Sequence, residues 1–364
     1  MDRNTSLEME PVSTPTNRLP ARIEEQRLIE IVSGLPGQRV GAVSTGRGQA
    51  AEQLAKDRTG SQVTCWYIDS FQANLATQHA ESLDNFRISC AADWPSGECD
   101  LTVVPLGKGG EAELSRDILQ SAYHNLVVGG YLVASVDNPH DRWLHEQLKG
   151  YEKSVKVRPF PEAVVYFIQK TAPLKKVKDF SCLLSFRDCE ATIQLVTRPG
   201  VFSHRQLDNG TRQLLDAVDV FPEAQLVDIG CGSGAVALAL AARDPSARIH
   251  AFDSNARAVW CVEQGRVING FENVEVGLNG TGEYGQENQF DMALANPPYF
   301  ADFRIARLFI EAARRSLRPG GRLVLVTKQP RWYEEHLPEI LNEVEVFESR
   351  RYFIASGTKP TWNV

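Results

Sequence analysis

The chain has 364 residues, of which 43% are hydrophobic, enough for two well-packed domains or one large one. Its formal net charge of -7 gives no global pull toward nucleic acid, so any such binding has to use a local basic face. The seven cysteines are scattered with no C-x-x-C pair, which argues against a zinc site or a disulfide framework, and no apolar run is long enough to span a bilayer.

Residues 1–20, rich in Ser, Thr, Pro and Asn, read as a disordered tail. This start has no apolar segment of the kind a signal peptide needs, and free thiols fit a reducing compartment, so a cytoplasmic protein is expected. From about residue 21 the chain alternates strand and helix patterns, and it does so twice. D-L-T-V-V-P-L-G-K-G-G, an amphipathic helix and Gly129-Gly130 before an apolar strand are repeated as D-M-A-L-A-N-P-P-Y-F, a helix and Gly320-Gly321. Asp100 and Asp291 lie 191 residues apart (291 − 100), as do the glycine pairs (320 − 129). Upstream, V-G-A-V-S-T-G-R-G at 40–48 mirrors L-V-D-I-G-C-G-S-G at 226–234, and Asp69-Ser70 mirrors Asp253-Ser254. Strands alternating with helices predict parallel sheets covered on both faces, with ligands at the carboxyl ends of the strands. The expected fold is therefore α/β, with two tandem Rossmann-like domains arising from duplication: 21–171 and 199–364, joined by a linker with a strand or two at 172–198. Lys175, Lys176, Lys178, Arg187, Arg198 and Arg205 make the region of the joint locally basic.

In the second half Gln225–Ile229 reads as the first strand and G-C-G-S-G as the turn into the first helix. Gly230, Gly232 and Gly234 let the backbone turn tightly and approach a ligand, beside a helix N-terminus that offers free N–H groups. The second strand ends in Asp253, about 20 residues on, where such folds bind ribose hydroxyls. Asp253 also competes for the role of N-cap to the helix starting near Ala256. G-x-G-x-x-A fits a dinucleotide site as well, but Asp228, two residues before Gly230, suits a ligand bearing an amine better than a pyrophosphate. The fourth strand stops at Asn296-Pro297-Pro298, followed by Tyr299 and Phe300. Two prolines end the ladder and stiffen the backbone, which presents the Asn296 side chain and bare carbonyls at the sheet edge.

D-I-G-C-G-S-G, F-D-S and N-P-P-Y on successive strands resemble the class I S-adenosylmethionine-dependent methyltransferases. P-G-V-F-S-H-R-Q-L-D-N-G-T-R-Q-L-L at 199–215 is similar to the segment before the catalytic core of the tandem-domain ribosomal RNA guanine-N2 methyltransferases, the C and G enzymes of the small and large subunits. That family reads Asn-Pro-Pro-Phe-His where this chain has Tyr299 and Phe300. The resemblance implies a degenerate first domain, with Pro105-Leu106-Gly107 in place of Asn-Pro-Pro, and a catalytic second one. It implies S-adenosylmethionine held by Asp228, Gly230, Gly232, Gly234, Asp253, Ser254, Asn279, Asn296, Phe202 and Ser203. Asn296, Pro297, Pro298 and Tyr299 are then catalytic: carbonyl acceptors for an exocyclic amine and a ring that stacks on the base. The expected partner is ribosomal RNA or a ribosomal subunit, met by a monomer without metal. Adenine-N6 or protein glutamine-N5 transfer, and a non-catalytic RNA-binding or assembly role, are the alternatives.

Overall fold

A computed structural model describes residues 20–95, 97–283, 287–298 and 303–361. The first half runs α1 (Ile23–Val32), β1 (Arg39–Val43), α2 (Gln49–Asp57), β2 (Gln62–Tyr67), α3 (Ser70–His79), β3 (Phe86–Cys90), β4 (Cys99–Leu106), α4 (Ala112–His124), β5 (Leu126–Val136), α5 (Trp143–Lys149), β6 (Lys156–Pro159) and β7 (Val164–Gln169). A hairpin, β8 (Cys182–Asp188) and β9 (Ala191–Thr197), follows. The second half runs α6 (Asn209–Asp216), β10 (Gln225–Ile229), α7 (Ala235–Arg243), β11 (Arg248–Asp253), α8 (Ala256–Asn269), β12 (Val274–Leu278), β13 (Phe290–Ala295), α9 (Arg304–Ser316), β14 (Leu317–Thr327), α10 (Pro330–His336), β15 (Asn342–Ser349) and β16 (Tyr352–Thr358).

Each half builds a seven-stranded sheet, in the orders β3-β2-β1-β4-β5-β7-β6 and β12-β11-β10-β13-β14-β16-β15. Six strands in each point the same way and only β7 and β16, next to the edge, are reversed, the same arrangement in both halves as expected of a duplicated doubly wound unit. The repetition reaches single side chains. The buried Lys170 ammonium donates to the Leu126 carbonyl at 2.6 Å, and Lys359, after the equivalent strand, donates to Leu317 at 2.8 Å. Both lysines offer their charge to carbonyls at the ends of α4 and α9, where the helix dipole favours a cation.

The glycine pairs sit inside the long strands β5 and β14, not in a turn before them. Gly129 and Gly320 take φ of 91° and 78° at a register shift, where each bonds to the backbone of Lys170 or Lys359. A Cβ on Gly130 or Gly321 would lie 2.8 Å from a carbonyl of the neighbouring strand, so a bulge here needs glycine at both places.

Helix α7 is buried from Ala235 to Ala241, so its sequence is apolar all round. The β8–β9 hairpin covers it: Phe186, Ile193 and Leu195 join its core cluster. Asn269 at the end of α8 fixes the hairpin by exchanging two hydrogen bonds with the Gln194 backbone at 2.9 and 2.8 Å. The carboxyl ends of β10, β11 and β13, with the glycine turn between strand and helix, consequently face one cleft.

Candidate active site

The cleft lies at the carboxyl edge of the second sheet, between the glycine turn, the 202–208 segment and the end of β13. Phe202, Ser203, Asp208, Thr211, Asp228, Gly230, Gly232 and Asn296 line it. The three glycines of the turn have different reasons to be glycine. A Cβ on Gly230 would meet the Phe309 ring at 2.5 Å, and one on Gly234 would meet Val262 at 2.8 Å. These two serve packing, at φ of 72° and 84°. Gly232 takes φ of 55° with nothing nearer its Cβ direction than Phe202 at 3.9 Å, so it leaves room on the cleft side.

Two carboxylates flank this turn, Asp228 buried and Asp253 half-buried. Asp253 accepts the Gly232 N–H at 2.9 Å and the Asn255 N–H at 2.8 Å, and burial raises its pKa. Asp228 is only 3% exposed, accepts the Ala237 N–H at 3.2 Å, and is pushed up to about 7, first by burial and further by the charge of Asp253. A carboxylate so short of donors is poised to take a cationic or N–H-bearing ligand. The N-cap of α8 is Asn255, whose side chain accepts from Arg257 N and Ala258 N; Asp253 does not cap that helix because its oxygens are held by Gly232 and Asn255.

Asn296 stands just past the end of β13. Its amide nitrogen donates to Asp208 Oδ2 at 2.9 Å and to Thr211 Oγ1 at 3.2 Å. A carboxylate accepts and does not donate, so Asp208 fixes which end of the amide is nitrogen and directs the carbonyl end away from α6. Asp208 is held in turn as the N-cap of α6, accepting Thr211 N at 2.8 Å. Neither Asp208 nor Thr211 was among the expected site residues. Their signal was the N-cap pattern D-N-G-T ahead of α6, but no local pattern relates them to Asn296. Pro297 is buried and Pro298 half-buried behind it; Tyr299 and Phe300 lie outside the described residues. Phe303 stacks on Trp332 at 4.6 Å and Trp332 on His336 at 4.5 Å.

Phe202 is 55% exposed on the cleft rim, and Ser203 beside it has φ of 56°. Two expected ligand contacts are turned elsewhere. Ser254 donates its hydroxyl to Asp69 of the first half at 2.7 Å, so it serves the joint between the halves. The Asn279 amide closes its own loop, accepting Thr281 N and Gly282 N and donating to the Glu283 carbonyl at 2.7 Å.

That joint is built from the carboxyl end of β2 against that of β11. Ser70 N donates to Ser254 O and Ala256 N to Ile68 O, each at 2.7 Å, around an antiparallel bridge between Asp69 and Asn255. The fully buried Arg257 bonds Asp117 at 2.8 Å, Pro199 O at 2.9 Å and Ala92 O at 3.0 Å. Two cations of the locally basic region are also spent here, Arg198 on Asp93 at 2.6 Å and Arg205 on Glu113 at 2.7 Å. In the first half the turn equivalent to G-C-G-S-G is filled from within: Gly46 N and Gly48 N both bond Ser44 Oγ, and the Arg22 guanidinium lies 3.2 Å from the Cβ direction of Gly46.

Among the described residues no group of three or more His, Cys, Asp or Glu is placed to hold a metal ion, and no helix is long and apolar enough to cross a membrane. Residues 192–356 match the family model of the methyltransferase small domain. The chain is 30% identical over 278 residues to the ribosomal RNA small subunit methyltransferase C of Ectopseudomonas mendocina, covering 73% of this chain and 81% of that protein. The corresponding protein of Shewanella pealeana is 26% identical over 273 residues, 73% and 79% of the two chains. A solved structure of a T. thermophilus 16S rRNA N2 methyltransferase, in complex with AdoMet and guanosine, superposes with a TM-score of 0.78 over 92% of this chain and 91% of that one; at 21% identity it speaks for the fold.

Proposed function

The chain belongs to the ribosomal RNA small subunit methyltransferase C family, and from that premise we propose that it methylates the exocyclic N2 amine of a guanine in small-subunit ribosomal RNA, using S-adenosylmethionine. The observation that carries the reading is Asn296, pinned by Asp208 and Thr211 at the sheet edge beside the glycine turn. The residues fit the cofactor. Asp228 is a buried carboxylate for its amino group, Asp253 a half-buried one for the ribose hydroxyls, Gly232 leaves space for close approach, and Phe202 with Ser203 forms the rim. When bound, S-adenosylmethionine supplies a methyl group already activated on a sulfonium.

The protein's remaining task is to hold a poor nucleophile in line, because the lone pair of a base amine is delocalised into the ring. The Asn296 side-chain carbonyl and the Pro297 main-chain carbonyl accept the two amine N–H groups, which favours the geometry in which nitrogen becomes positive. Their positions are set in advance, one by Asp208 and the other by two fixed proline φ angles. Tyr299 stacks on the base, which reaches the edge only when flipped from any helix. The first half, its own turn filled by Ser44 and Arg22, takes no cofactor, so one cofactor binds per chain. The protein works as a monomer in the cytoplasm, where its ribosomal substrate is assembled.

The test is transfer of labelled methyl from S-adenosylmethionine to unmodified 30S subunits, 50S subunits, naked ribosomal RNA and release factor, with nucleoside identification after digestion. N2-methylguanosine from small-subunit RNA is expected. Label only in protein, or as N6-methyladenosine, overturns the assignment.

A further inference from the structure

The rim of the cleft is held by main-chain contacts just before Phe202, and one of them comes from the first half. Pro199 O accepts from Arg257, Gly200 O accepts from the Asn255 amide at 2.6 Å, and Gly200 N donates to the Glu111 carboxylate at 3.0 Å. Glu111 is the N-cap residue of α4, yet its side chain makes no capping bond to that helix. A carboxylate at an N-cap ordinarily accepts from its own N2 or N3 amide; this one is turned outward to Gly200. The fit is close. Gly200 has φ of 84°, and a Cβ there would lie 3.1 Å from Leu114 of the same helix. Glu113, one residue before Leu114, holds Arg205 on the other side of Phe202 and Ser203.

We infer that the N-terminal turn of α4 is a clamp on the cofactor rim, with Glu111 a positioning residue that acts through Gly200 on Phe202 and Ser203. The first half thereby contributes to cofactor affinity without touching the cofactor. Ordering the Phe202–Ser203 rim in advance removes part of the entropy cost of binding, so the effect falls on affinity and not on the transfer step. The inference rests on the cofactor reading above, and the assay separates the two.

The measurement is calorimetric binding of S-adenosylmethionine and S-adenosylhomocysteine to the full chain, with kcat at saturating cofactor. Glu111→Ala weakens both ligands about three- to ten-fold, the worth of one hydrogen bond, and leaves kcat within two-fold. Glu111→Gln restores wild-type affinity, because its amide oxygen accepts the same bond. Unchanged affinity in Glu111→Ala, or equal weakening in both variants, overturns the clamp. A wild-type protein that binds neither ligand overturns the cofactor reading instead. Hydrogen exchange gives a check on the unmutated chain: the Gly200 amide is protected before any ligand is added, and rapid exchange there refutes the inference.

Discussion

Asp228→Asn should make the protein more stable and less able to bind its cofactor. The Asp228 carboxylate is 3% exposed, and its pKa rises from 3.8 to about 7 through burial. A difference of about three units corresponds to roughly 4 kcal/mol held against the ionised form, at about 1.36 kcal/mol per unit. The sign follows from proton counting. Between about pH 4 and 7 the folded protein binds a proton that the unfolded chain has lost, so stability falls as pH rises through that window. The full cost is present at pH 8 and absent near pH 4. An amide of the same shape keeps the bond from Ala237 and carries no charge. The variant should gain up to about 4 kcal/mol at pH 8, on the order of 10 °C in the melting transition of the second half, and little at pH 4. Affinity for S-adenosylmethionine should drop about ten- to a hundred-fold, since a charge-assisted hydrogen bond is worth roughly 1.5–3 kcal/mol. Thermal melts at several pH values, paired with calorimetric binding, measure both. A gain that is the same at every pH, or a variant that binds as well as wild type, would refute the account of Asp228 as a destabilised ligand group.

Asn296→Ala should lower kcat by on the order of 10²–10³ while cofactor affinity stays near wild type, as removal of one preorganised polar group does elsewhere; a fully active variant excludes Asn296 from the chemistry. Asp208→Ala should lower kcat as well and also cost about 1 kcal/mol in denaturant melts, because it removes both the Asn296 anchor and the α6 cap. The glycines of the turn should separate into two classes. Gly232 and Gly234 both take a left-handed φ that strains alanine, but Gly234→Ala also meets Val262 and should lower the melting temperature more, whereas Gly232→Ala has room for its Cβ and should add a marked loss of cofactor binding to a smaller loss of stability. Asp117→Ala leaves the buried Arg257 charge uncompensated and should destabilise the chain by about 3–5 kcal/mol in equilibrium unfolding.

The duplicated strand–helix plan and the glycine turn were legible because both are local: apolar runs of strand length, glycines at fixed offsets and an acid ending the next strand. The mate of Asn296 was not, because Asp208 lies 88 residues earlier and its N-cap role gives it a sufficient local reason to be there. The places of Ser254 and Asn279 after strands β11 and β12 suggest ligand contacts. Their side chains are consumed by the joint and by a turn, which only the packing of the two halves and the loop geometry decide. The glycine pairs signalled a break in the chain, but a break in register and a turn call for the same residues. Asn255, directly before Ala256, is the better cap by chemistry and position, while the strand-end place of Asp253 suits a ribose as well as a cap.

The bridge between Asp69 and Asn255 sets Ser70 opposite Ser254, and these are equivalent residues of the two halves, 184 apart (254 − 70). Equivalent residues facing one another are the mark of a two-fold, self-complementary contact. At this bridge the joint has the form of a homodimer contact inside a single polypeptide, while the ion pairs around it, such as Arg257 with Asp117, have no symmetric mates. Fusion of two such copies frees one from maintaining its own chemistry, yet binds it to the geometry of its partner's strand end. On the proposed division of labour the first half can drift at its glycine turn and at Pro105-Leu106-Gly107, but Asp69, Ser70, Glu111 and Asp117 are held by their contacts with the second half.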